Sequence, residues 1–252
     1  MKAPLRIAIM TVVSAACLWA GDLTITSHSK VKGPLGMSGE GIQTQYYNAN
    51  FQKTVDEGTQ VDSLVDYSRG VFYTIKHKDK KIELMTFDDL VAIGEAMDAK
   101  LAQMANLPKF LQGAMGGGDP GEIKVEKVGE ETVADRACKK YKLTLGKMVQ
   151  ELSLDPTLKN PVNPAAFAKF SKLRGNMLAG PSAAGMKKMI EELSKLQGIA
   201  LRTHMTGFMG TESMMEATEV KTTPIPATVF ALPNGYKTED TGKKLLKDLE
   251  KS

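Results

Sequence analysis

From Leu23 to Met85 the hydrophobic and polar positions alternate with a period of two, as in Leu23, Ile25, Ser27 against Thr24, Thr26, His28. Such alternation predicts half-buried strands. Gly39-Glu40-Gly41, Glu57-Gly58, Ser68-Arg69-Gly70 and the charged run Lys78 to Lys81 are spaced as turns between them. A meander of antiparallel strands, uninterrupted by a crossover helix, is the economical topology. Between Asp88 and Met115 the period changes. Leu90, Ile93, Met97, Leu101, Met104, Leu107 or Leu111, and Met115 fall on one stripe, with Asp88 and Asp89 at the start. This predicts an amphipathic helix with an acidic N-terminus, divided by Pro108 and ended by Gly116 to Pro120. The triple glycine follows a helix and carries no Lys-Ser/Thr, so it reads as a connector and not as a phosphate cradle.

Period two returns at Ile123, and Gly129-Glu130-Glu131 reads as a turn. Tyr141, Leu143, Leu145 and then Val149, Glu151, Ser153 flank a second turn at Gly146-Lys147. Two short helices follow. Asn163 and Pro164 open the first, with Phe167, Phe170 and Leu173 on its inner side, and the second runs from about Ser182 with Met186, Met189, Ile190, Leu193 and Leu196 on one face. Further strands span Ile199 to Val220 around Gly207 to Gly210, and residues 238–252 form a charged helical tail with Leu245, Leu246 and Leu249. No repeat of solenoid length is present.

The first twenty residues have another character. Lys2 and Arg6 precede an apolar run, Ile7 to Ala20, too short to span a bilayer comfortably and followed by small residues, with a single N-terminal membrane anchor as the alternative to a cleaved leader. Residues 1–20 read as a secretory signal peptide cleaved after Ala20, with cleavage after Ala16 as the alternative because Leu18 is large for its place. Ser14-Ala-Ala-Cys17 is also a loose lipobox, so lipid anchoring through Cys17 stands as an alternative to a free periplasmic protein. Cys138 is the only other cysteine, and its strand context suits a thiol tucked into a core.

At 252 residues, 42% hydrophobic and 25% charged, the composition is globular, and a core of this size needs no disulfide. The net charge of +4 falls to +2 once Lys2 and Arg6 leave with the signal. Basic and acidic residues are interspersed, which speaks against a nucleic-acid partner.

Candidate chemistry is sparse. His28, His77 and His204 are far apart and lack metal-ligand spacing, so they read as exposed strand histidines. Ser182 lies among glycines without the setting of a nucleophile elbow and reads as a helix cap. The adjacent acidic pairs point toward water. Lys139, Lys140 and Lys142 form a small basic run on a strand face. No catalytic residue, metal or cofactor is implied.

Gly129-Glu-Glu-Thr-Val-Ala-Asp-Arg-Ala-Cys-Lys-Lys-Tyr-Lys-Leu143 through Leu145 resembles the G-x-x-x-V-x-G-x-x-C-x-x-Y-x-L hairpin of bacterial periplasmic domains of unknown function related to the outer-membrane lipoprotein carrier and sorting proteins. Leu152 to Pro156 stands where those proteins place a Trp-containing strand, and Val229 to Lys237 is similar to their closing V-F-x-L-P-x-G-Y segment. The chain departs from the pattern at Asp135, where Gly is common, and at Ser153, where an aromatic is common. The resemblance implies an α+β fold over residues 21–237, a half-open antiparallel β-barrel built from a curved meander sheet, with helices covering its concave face around an apolar cavity for acyl chains.

Fifteen methionines suit such a cavity, because unbranched thioethers re-pack around varied ligands. Met97, Leu101, Met104, Phe167, Phe170, Met186, Met189 and Ile190 are the expected lining. The function expected is monomeric, non-enzymatic binding of a lipid or acylated protein, with transient membrane or envelope-protein contact for release. The alternative is an envelope interaction module with the same fold and a filled interior that binds a protein partner.

Overall fold

The structure is a computed structural model and describes residues 21–33, 38–104, 122–146, 148–176, 183–207 and 211–251. The strands are β1 (Leu23–Lys32), β2 (Ser38–Tyr47), β3 (Phe51–Asp56), β4 (Val61–Asp66), β5 (Val71–Lys76), β6 (Lys81–Thr86), β7 (Ile123–Val133), β8 (Arg136–Leu145), β9 (Met148–Asp155), β10 (Ile199–Thr206), β11 (Glu212–Lys221) and β12 (Lys237–Asp240). The helices are α1 (Phe87–Met104), α2 (Pro164–Asn176), α3 (Ala183–Ser194) and α4 (Thr241–Lys251), with a 3₁₀ turn at Ala227–Phe230.

Among the described residues twelve strands form one mostly antiparallel sheet in the order β12-β6-β5-β4-β3-β2-β1-β11-β10-β9-β8-β7. Two meanders, β1 to β6 and β7 to β11, meet at a seam where β1 pairs with β11. The sheet curves, because Val133 of β7 shares a core with Leu23 and Ile25 of β1, five places away. It stays open, with β12 and β7 as its edges.

Turn chemistry explains most of the meander. Gln60, Gly70 and Lys80 take positive φ in the loops after β3, β4 and β5, the conformation that tight antiparallel connections demand. Two expected turns lie elsewhere. Gly39 to Gly41 run inside β2, where Gly41 pairs with Ser29 and Glu40 bridges His28 and Lys30. Gly129 sits beside a β-bulge within β7 at φ +152, and the hairpin turns instead at Ala134-Asp135, both at positive φ. Glycine there absorbs an extra residue without reversing the chain.

Helix starts follow local hydrogen bonding. Thr86 and Asp89 form a capping box: Asp89 N donates to Thr86 Oγ1 at 3.0 Å and Thr86 N donates to Asp89 Oδ2 at 2.8 Å. The cap is thus Thr86, two residues before Asp88. Asn163 Oδ1 accepts from the N–H groups of Ala165 and Ala166, as expected of its place.

Helices α1 and α2 cover β4 to β6, burying Val65, Tyr67, Phe87, Leu90, Phe170 and Leu173 together. Phe170 stacks on Phe87 at 5.2 Å and meets Tyr67 edge-on at 5.6 Å. Helix α3 and the turn after it cover β7 to β9, with Met189 and Leu193 of the helix and Leu196 of the turn against Leu143, Leu152 and Leu154. The opposite face of β3 to β6 buries Leu64, Tyr73, Ile75 and Ile82 beneath the strap 225–236. Residues beyond 237 first form β12, parallel to β6, and then α4, which packs against α1.

Candidate functional site

Side chains of β2 to β6 that face α1 and α2 stand in cross-strand rows fixed by the register. Nearest the helices runs Tyr47, Gln52, Val65, Phe72, Met85. Two residues along the strands, about 7 Å away, runs Gln45, Thr54, Ser63, Thr74, Glu83. Each row crosses five strands, about 19 Å. Between these rows and the helices lies a partly open cavity of about 540 Å³, with Leu90 of α1, Phe170 of α2 and Thr241 of α4 on its far side.

The apolar row and the helices supply one wall, and amides and hydroxyls supply the other. Tyr47 Oη donates to Gln45 Oε1 at 2.8 Å, and Tyr67 Oη donates to Gln52 Oε1 at 2.8 Å. Burial pushes the Tyr47 phenol up to about 12, so it remains a donor across the physiological range. Among the described residues Glu83 is the one carboxylate lining the cavity. It accepts from Lys76 at 2.8 Å and lies 2.9 Å from Lys81, and those hydrogen bonds hold its carboxyl below the ordinary value. Its charge is thereby compensated.

Of the expected lining residues, Phe170 reaches the cavity. Met97 and Phe167 are each 38% exposed, and Met189 is buried in the separate core under α3, with Ile190 half-buried beside it. The side chains of Leu101, Met104 and Met186 lie outside the described residues, as does Cys17. Most of the lining comes from strands. Sequence reading missed the polar row, although its alternation was visible in Ser63 and Val65 against Asp62 and Leu64; periodicity groups residues on a face without saying which face a helix covers.

The histidines also gain partners: His28 lies 3.7 Å from Glu40 and His204 2.9 Å from Glu212. His77 Nε2 lies 2.9 Å from Asp62 Oδ2 and its Nδ1 lies 3.0 Å from Tyr236 Oη, while Lys53 Nζ approaches the buried Asp62 at 3.7 Å. This chain links the strap to the sheet. Cys138 is buried and its thiol is pushed up by burial, as its strand context suggested. Among the described residues no group of three His, Cys, Asp or Glu side chains is placed to hold a metal, and no helix is long and apolar enough to cross a membrane.

Comparison with solved structures finds matches at low identity. An uncharacterized conserved protein from Thermus thermophilus matches with 9% identity over 88% of this chain and 91% of that one, at a TM-score of 0.46. The MucA/MucB complex of Pseudomonas aeruginosa contains a chain 10% identical, with 85% of this chain and 56% of that one covered, at 0.42. A putative outer membrane lipoprotein-sorting protein domain from Vibrio parahaemolyticus is 9% identical, with 90% and 92% covered, at 0.34. No protein of curated function matches the sequence. A family model, the domain of unknown function DUF4412, matches residues 96–236, which takes in the 129–145 hairpin and all but the last residue of the 229–237 segment. The chain belongs to the DUF4412 family.

Proposed function

We propose that the protein is a non-enzymatic binding protein of the bacterial periplasm that holds a hydrophobic ligand, a lipid or the acyl chain of a lipoprotein, between its sheet and its helices. The curved sheet acts as a half-open barrel, and α1 and α2 lie over its concave side. One observation carries this reading: the 540 Å³ cavity bounded by Val65, Phe72 and Met85 below and Leu90 and Phe170 above. Its volume falls in the usual range for ligand sites, and one of its walls is made of apolar groups already ordered in the cores around them. Each methylene buried there contributes about 0.8 kcal/mol. A charged leader at Lys2 and Arg6 followed by an apolar run supports export, and a membrane or partner protein provides for release.

The test is native mass spectrometry of protein purified from the envelope, followed by titration with a fluorescent fatty acid. A co-purified lipid or acylated peptide is expected, together with saturable binding that Met85→Asp weakens at least tenfold while the circular dichroism melt stays cooperative. A clean protein that fails to bind the fatty acid sinks the reading and leaves the protein-binding envelope module in its place.

A further inference from the structure

A bare hydrocarbon chain leaves much of the cavity unmatched. Thr54, Ser63 and Thr74 stand side by side in the second row, and their hydroxyls have no side-chain partner among the described residues. Gln45 and Gln52 have their carbonyls occupied by Tyr47 and Tyr67, which turns each NH2 group into a donor without a partner of its own. Covering five such groups with an alkyl chain strips them of water and returns no hydrogen bond. The charge at the end of the row is already compensated by Lys76 and Lys81, so the row rewards neither an anionic nor a cationic head.

We propose that the cavity selects an uncharged amphiphile whose head group brings several acceptor oxygens, such as a sugar glycoside or a glycerol monoester. This inference rests on the binding reading and narrows the ligand class. The head lies along Gln45, Thr54, Ser63 and Thr74, where ether, ester and hydroxyl oxygens accept from the amides and exchange hydrogen bonds with the hydroxyls. The alkyl chain lies beside it on Val65, Phe72 and Met85, beneath Leu90 and Phe170. Head and tail are therefore recognised along two parallel rows of one floor, and the cavity discriminates by what the head can accept.

The experiment compares three probes of equal chain length by calorimetry on the mature protein below their micellar concentrations: dodecyl maltoside, monolauroylglycerol and dodecanol. At least one of the two oxygen-rich probes is expected to bind ten times more tightly than dodecanol, and which one does so separates a glycoside from a glycerol ester as the source of the chemistry. The variant Thr54→Val/Ser63→Ala/Thr74→Val keeps the shape of the row and removes its hydroxyls. It is expected to erase that margin, because the oxygen-rich probes lose their hydroxyl partners while dodecanol, relieved of the desolvation cost, binds no more weakly than before. Equal affinities for all three probes overturn the inference and leave the binding reading intact, and this comparison needs only the natural protein. Binding of none of them overturns both.

Discussion

At the scale of single residues, two acidic side chains on the β7 to β9 hairpins show opposite uses of strain and burial. Asp155 is 1% exposed and accepts hydrogen bonds from Arg136 Nε, from Thr157 Oγ1 at 2.7 Å and from Thr157 N at 2.8 Å. Burial pushes its carboxyl up, but the bonds from Thr157 and Arg136 outweigh burial and hold it below the ordinary value. The unfolded carboxyl titrates near about 3.9, so this group contributes stability above that pH and loses the contribution as pH falls through the lower folded value. Asp155→Asn is expected to cost about 3 kcal/mol at pH 7 and to flatten the loss of stability below pH 4, both read from urea unfolding. Asp135 instead occupies a left-handed conformation at φ 59, which favours glycine. Asp135→Gly relieves that strain at a smaller entropic cost in the unfolded chain, and a net gain of about 0.5 kcal/mol is expected in the same assay.

At the scale of elements, the strap 225–236, with a 3₁₀ turn at Ala227–Phe230, is held by contacts along its length. Phe230 stacks on Phe51 at 5.3 Å, Lys53 Nζ donates to Val229 O at 2.9 Å, and Tyr236 meets His77. Tyr236→Phe removes one hydrogen bond and is expected to cost about 1 kcal/mol. Hydrogen exchange is the discriminating measurement: amides of the strap should open faster while those of β8 keep their protection. Strands β3 to β6 were legible in the sequence because period and turn residues agreed there, whereas the expected turn at Gly39 to Gly41 lies inside β2, and Met97 and Phe167 on the expected inner stripes of α1 and α2 are exposed. Strand β12 was not, since Lys-Thr-Glu-Asp has no apolar alternation and is placed by its parallel pairing with β6. Of the expected lining residues whose side chains are described, Phe170 borders the cavity. Helical methionines drew attention to the covering helices, whereas the floor that gives the cavity its character is made of glutamine, threonine and serine.

For the whole molecule, the decisive feature is the seam between β1 and β11. These strands pair from Thr24 with Lys221 to Lys32 with Glu212, nearly two hundred residues apart in sequence. Such a pairing makes loop closure expensive and folding slow. Refolding from urea is expected to be slower than for local-contact domains of similar size, and a chain ending at Thr206 should remain aggregation-prone even though β1 to β10 are present. Light scattering during refolding of the two chains checks this. A chain synthesised from its N-terminus delivers β1 first and β11 almost last. Throughout that interval the first strand waits with one bare edge, open to any other strand that can pair with it.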